Sequence, residues 1–247
     1  MKLKRRHKYV LIALAVYWPL VFTLTHIPVP DIARESGMHS THMHTMAYFV
    51  LTLLLWWAVS PYQRVRWKQR KVWQVMAIIA VYGALDEYLQ GFVGRTPAVR
   101  DFIANLIGMG GAMVLLSVFR FWSALLAASL IAVFAISNLS NLPLLYPEYH
   151  LNTLFHFSAY AALTLIWVQY IQRHLLGLFR RGPAVWLPAA VSVPLLMLAG
   201  VLATRPLFDK TIWWTDAATA VFGITAAALI SGLTCAVTHH TNRPDKQ

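Results

Sequence analysis

The 247-residue chain is 58% hydrophobic and only 12% charged, with a mean hydropathy of +0.56, a balance that excludes an ordinary soluble domain and marks an integral membrane protein. Its net charge of +12 resides in short Lys/Arg clusters between apolar runs. There is no single basic face, so these charges read as topology signals and no nucleic-acid partner is expected. The single cysteine, Cys235, rules out an intrachain disulfide and reads as a small packing residue.

A helix needs about twenty apolar residues to cross a bilayer core of about 30 Å. On that rule the chain predicts an all-α, polytopic membrane bundle of about eight transmembrane helices. The basic start, Met1 to Lys8, precedes an apolar stretch from Tyr9 to Leu24. With no small-x-small cleavage pattern, this is expected to be an uncleaved signal anchor spanning 9–25. Further spans are expected over 42–61, 72–92, 101–119, 122–139, 153–171, 184–203 and 213–237. Only Arg120 interrupts the mostly apolar run from Ile103 to Ile136, which is too long for one span. With the N-terminus inside, 16 of the 21 Lys and Arg residues fall on the inner side, so both termini are expected in the cytoplasm. Trp56, Trp57, Trp67, Trp73, Trp213 and Trp214 lie near predicted span ends, as interfacial aromatics do.

The two halves resemble one another. His44-Thr-Met-Ala-Tyr48 recurs as His156-Phe-Ser-Ala-Tyr160 at an offset of 112, while Pro28/Pro143, Arg95/Lys210, Asp101/Asp216 and Gly108/Gly223 share an offset of 115. Two four-helix repeats, 1–120 and 121–247 with a short cytoplasmic tail, are therefore expected. Four is an even number, so the copies would run parallel about an axis near the membrane normal. Glu87, Gln90 and Asn105 become Leu202, Arg205 and Ala220 in the second copy, which leaves the whole polar set in the first.

That set is concentrated between Leu85 and Gly111. Glu87 and Gln90 are three apart and Asp101 and Asn105 four apart, so each pair is expected along one helix face. The segment from Gly91 to Arg100 joins the two helices as an outer turn, and Asp101 is placed to cap the second helix. His44 and Tyr48 open the preceding span at the same level. One extracytoplasmic layer of His44, Tyr48, Glu87, Gln90, Arg95, Asp101 and Asn105 results, with Ala104, Gly108 and Ala112 letting the helix pack closely on a neighbour. Ionisable residues inside a membrane mark function by default. Glu87 and His44 are the candidate acid and base; Tyr48, Gln90, Arg95, Asp101 and Asn105 are the candidate ligand-binding residues. His39, His42 and His44 have spacings with which imidazoles join Glu87 or Asp101 around Zn or Cu. No HExxH pattern or thiolate set accompanies them, however, and no metal or other cofactor is expected.

The series Pro28, His44-x-x-x-Tyr48, Asp86-Glu87-x-x-Gln90, Arg95, Asp101-x-x-x-Asn105-x-x-Gly108 resembles the VanZ-like membrane family. The likeness extends to the second half in outline, through His156, Tyr160, Lys210, Asp216 and Gly223. It departs where the family often carries an Asp-Lys pair before its histidine: Ser40-Thr41 and Asn152-Thr153 stand there. The resemblance implies a bacterial cytoplasmic-membrane protein linked to the cell envelope and to low-level glycopeptide resistance. Membrane lipids, and a lipid-linked envelope intermediate, are the partners it suggests. The function expected is binding or modification of a polar headgroup; a transporter or flippase, and a scaffold for envelope enzymes, are the alternatives.

Overall fold

In the computed structural model the described residues are 5–26, 40–61, 63–93, 97–139, 151–175, 183–208 and 214–241. They form eight α-helices and no strand: α1 (Arg5–His26), α2 (Ser40–Val59), α3 (Arg70–Gln90), α4 (Val99–Val118), α5 (Phe121–Leu139), α6 (Leu151–His174), α7 (Pro183–Thr204) and α8 (Trp214–Thr241). Short 3-10 turns, Gly91–Val93 and Arg205–Phe208, extend α3 and α7. Seven helices are long and apolar enough to cross a membrane; the apolar part of α1, Val10–Thr23, is shorter. The protein is a polytopic helical bundle. Large apolar side chains such as Ile78, Val81, Ile107, Val114 and Leu196 are exposed on the outer helix faces, as lipid contact requires.

The chain divides into two compact units, Met1–Ala124 and Leu125–Gln247. The expected division of the run around Arg120 is present: α4 closes at an extended Phe119 (φ −111°, ψ 152°) and α5 starts two residues later. The last carbonyls of α4 are not left orphaned, because Phe119 N–H donates to Leu115 O (2.8 Å) and Val65 N–H, from the α2–α3 connection, donates to Leu116 O (2.9 Å).

In the first unit α2 packs most extensively on α4. Gly108 is the reason: a Cβ there would lie 2.2 Å from Thr45 O, so the two backbones touch. Ala104 and Ala112, one turn to either side, are fully buried, forming a small-residue seam of the kind that brings membrane helices together. Gly110 contributes nothing to this approach, since a Cβ there would meet no atom within 4 Å. α1 is fastened to α2 by Tyr17 OH donating to Ala47 O (3.1 Å) and to α3 by an edge-on contact of Trp18 with Tyr82.

The tryptophans do not all behave as interfacial residues. Trp56 is completely buried; its indole N–H donates to Gln63 O (3.0 Å) and Lys71 Nζ sits 5.5 Å above the ring. Trp57 stacks on Phe121 at 4.2 Å. Trp67, Trp73 and Trp214 are exposed, whereas Trp213 lies outside the described residues.

In the second unit α6 packs most extensively on α8. Gly223 takes the part of Gly108, with a Cβ 2.4 Å from Phe157 O. Phe157 follows His156 as Thr45 follows His44, so the closest helix approach recurs one residue after each histidine. Likewise Thr52 donates to Tyr48 O (2.6 Å) and Thr164 to Tyr160 O (2.7 Å). α7 carries Pro188 and Pro194 within its length, and the Ala189 carbonyl between them accepts from the Trp167 indole at 2.7 Å.

Candidate functional site

The site residues of the first unit lie where the C-terminal ends of α1 and α3 meet the N-terminal ends of α2 and α4. His44 and Tyr48 are one turn apart on α2 and both are buried, as are Asp86, Glu87 and Gln90 at the end of α3 and Asp101 and Asn105 at the start of α4. Polar atoms buried in this way are costly unless hydrogen-bonded, so each calls for a partner.

Two clusters account for most of them. In the first, His44 is central. Its Nδ1 lies 3.0 Å from Asn105 Oδ1 and 3.5 Å from Glu87 Oε1, and its Nε2 lies 3.9 Å from Asp101 Oδ2. An amide oxygen only accepts, so Nδ1 carries the proton toward Asn105 Oδ1 and Nε2 is the nitrogen that faces Asp101. Asp101 accepts from Ser40 Oγ (2.8 Å) and Thr41 Oγ1 (3.2 Å). Glu87 Oε2 accepts the backbone N–H of Ala98 at 3.3 Å. Two buried polar atoms of this cluster have no hydrogen-bond partner: Glu87 Oε1 and Asn105 Nδ2.

The second cluster surrounds Asp86, which is fully buried. Thr25 Oγ1 donates to its Oδ1 at 3.0 Å, His26 Nδ1 lies 3.6 Å away, and Gln90 Nε2 approaches Oδ2 at 3.5 Å. The fully buried Tyr48 ring packs against Gly83 and stacks on Tyr82 at 5.8 Å. Among the described residues no Lys or Arg forms an ion pair with Asp86, Glu87 or Asp101; their ionic neighbours are His26 and His44.

An open apolar groove of about 550 Å³ runs along α1, lined by Leu11, Leu14, Trp18, Phe22 and Tyr82 among others. Phe22, the last of these along α1, stacks on His26 at 4.0 Å. The lining thus ends one helical turn before the imidazole beside Asp86.

Compared with the expectations from sequence, His44, Glu87, Asp101 and Asn105 are brought together. Gln90 belongs instead to the Asp86 cluster, because Asp86 and Gln90 are a full helical turn apart and share a face. Asp101 does not cap α4. The N-cap is Ala98, without a side-chain cap; Asp101 sits three residues later and spends both oxygens on Ser40 and Thr41. Glu87 reaches the capping position from α3 by accepting the Ala98 N–H. His42 is exposed, on the opposite side of α2 from His44, so the three histidines do not form one cluster. Arg95, expected in the layer, lies outside the described residues, as do His39, Pro28, Pro143 and Lys210. Arg100 is exposed. Sequence reasoning left Asp86, Thr25, His26, Ser40 and Thr41 out of the site. The available signal was the second carboxylate beside Glu87, too deep in an apolar helix to lack a matched partner.

The second unit keeps the histidine-aspartate contact, His156 Nε2 to Asp216 Oδ2 at 3.7 Å, and adds Arg205 Nη1 at 3.5 Å from the same oxygen. Val201 and Leu202, the counterparts of Asp86 and Glu87, are apolar, and Tyr160 packs with Val133, Leu198, Ala220 and Ile224. Comparisons with protein-family models, with curated proteins and with solved structures find no match to this chain.

Proposed function

We propose that the first unit binds the polar headgroup of a lipid or lipid-linked cell-envelope intermediate in the outer leaflet of a bacterial cytoplasmic membrane, as a VanZ-like protein built from two parallel repeats. The observation that carries this reading is the pair of buried polar atoms without a hydrogen-bond partner, Glu87 Oε1 and Asn105 Nδ2, in the same unit as the apolar groove on α1. An acyl or isoprenoid chain fits the groove walls, and its headgroup then lies at the level of His26, Asp86 and Glu87. Glu87 Oε1 accepts a hydroxyl or amide N–H of the headgroup, and Asn105 Nδ2 donates to one of its oxygens. Arg95, in the connection between α3 and α4, supplies charge for an anionic group. Where headgroup chemistry takes place, the His44–Glu87 pair, 3.5 Å apart, is the route for a proton. Glycopeptide resistance then follows from altered exposure or composition of envelope intermediates.

Mass spectrometry of lipids retained by the detergent-purified full chain tests this. Glu87→Gln is expected to lower the retained envelope lipid about tenfold or more, from the loss of a charge-assisted hydrogen bond, with helix content unchanged. Equal retention by the two proteins removes the proposal.

A packing role has its own support, because Glu87 Oε2 and both Asp101 oxygens tie helix ends together. Under that reading Glu87→Gln and Asp101→Asn lose envelope function only in proportion to lost protein. Lost function at normal abundance excludes it.

A further inference from the structure

We infer that His44, Glu87 and Asp101 form a binding site for one divalent transition-metal ion. One donor atom from each falls within 4.8 Å of the other two, and all three residues are buried. An ion with bonds of about 2.0 to 2.2 Å to nitrogen and oxygen holds its donors roughly 3 to 4 Å apart. His44 Nε2, the ring nitrogen not engaged by Asn105, already stands 3.9 Å from the Asp101 oxygen.

The surroundings have the form of a metal site's outer shell. Each of the three residues is oriented by a hydrogen bond that leaves an electron pair available. His44 Nδ1 is engaged by Asn105, leaving Nε2. Asp101 is held by Ser40 and Thr41, whose two donors do not exhaust a carboxylate's lone pairs. Glu87 is held through Oε2 by Ala98, and its Oε1 has no hydrogen-bond partner although the side chain is only 9% exposed.

The second unit supplies an independent observation. Around His156 there is one carboxylate, Asp216, and a built-in cation, the Arg205 guanidinium 3.5 Å from it. Around His44 there are two carboxylates, and among the described residues no guanidinium or ammonium forms an ion pair with either. The residue aligned with Arg205 is Gln90, and Glu87 is aligned with Leu202. At the aligned positions, therefore, a carboxylate and an amide of the first unit stand where the second has a leucine and an arginine. One imidazole and two carboxylates suit Zn²⁺, Mn²⁺ or Fe²⁺ and leave open positions for water or a ligand oxygen.

The inference does not depend on the headgroup reading, since metal binding is read on the protein with no lipid substrate present. The full chain in detergent is stripped with chelator, equilibrated with Zn²⁺ or Mn²⁺ and desalted, and its metal is counted by plasma mass spectrometry. One ion per chain is expected. Glu87→Gln and Asp101→Asn are expected to weaken binding about tenfold or more, while His42→Ala and Asp216→Asn leave it unchanged. Should the site variants fail to fold, Co²⁺ added to the wild-type chain is read by visible absorption. Ligand-field bands displaced by one equivalent of Zn²⁺ support the site; their absence overturns it. A folded wild-type chain that retains no stoichiometric ion, or site variants that bind as it does, also overturns the inference.

Discussion

Gly108→Ala adds one carbon and two hydrogens to the molecule and, at an exposed helix position, would stabilise it slightly. Here the new Cβ would lie 2.2 Å from Thr45 O and 3.0 Å from Phe49 N. Restoring the shorter distance to the 3.4 Å at which ordinary van der Waals contact begins asks the α2 and α4 backbones to separate by about 1.2 Å. Both obstacles are backbone atoms, so no side-chain rotation relieves them. Overpacking of this kind costs about 1 to 3 kcal/mol, or roughly 5- to 150-fold in folded population. The same separation stretches the His44–Asn105 hydrogen bond, now 3.0 Å, beyond bonding distance. Thermal unfolding of the detergent-solubilised chain, followed by tryptophan fluorescence, measures the effect. Gly110→Ala, whose Cβ meets nothing within 4 Å, is the control and should be neutral or slightly stabilising. If Gly108→Ala melts with Gly110→Ala, the helices are not in backbone contact and the geometry of the site built across them is wrong.

Further outcomes follow from single contacts. Gly223→Ala, with its Cβ 2.4 Å from Phe157 O, should destabilise the second unit by a similar 1 to 3 kcal/mol or so, visible in limited proteolysis of that half. Arg205→Met leaves Asp216, only 4% exposed, without its guanidinium and should cost about 3 to 5 kcal/mol; adding Asp216→Asn should recover much of it, and a double-mutant cycle of melting curves measures the recovery. Thr25→Val removes the 3.0 Å donor to Asp86 and should cost about 1 to 3 kcal/mol, whereas Thr25→Ser should be nearly silent; equal melting of the two variants would show that the bond contributes nothing. Lys71→Met, losing bonds to Ser60 and Gln63 in a partly exposed corner, should shift stability by no more than about 1 kcal/mol.

The helices were legible because each is a long apolar run, and the break at Phe119–Arg120 was legible because no single span is that long. The face shared by His44 and Tyr48 followed from helical spacing alone. Asp101 was misread because a cap depends on where the helix begins, and its start at Val99 is two residues earlier than the hydropathy pattern suggested. Gln90 was assigned to Glu87 by a spacing of three, while a spacing of four to Asp86 decides its partner. Thr25 and His26 gave no local signal: a hydroxyl and an imidazole at the end of an apolar helix acquire meaning only from a carboxylate on another helix. Trp56 shows the limit of position as a guide. Its place near a helix end suggested the interface, but Lys71 above the ring and Gln63 beside the indole N–H enclose it.

The principal polar links of the first unit join residues sixty or sixty-one positions apart: Thr25 to Asp86, Ser40 and Thr41 to Asp101, and His44 to Asn105. In chain order α1 and α2 come first, carrying the hydroxyls of Thr25, Ser40 and Thr41 and the imidazoles of His26 and His44, with no carboxylate on either helix to meet them. α3 then brings Asp86 and Glu87 to partners already waiting, and α4 completes the layer with Asp101 and Asn105. Carboxylates are the groups hydrocarbon tolerates least, and the chain order presents them last. A chain ending after α3 would therefore hold Asp86 and Glu87 without the Asn105, Asp101 and Ala98 groups that complete the layer.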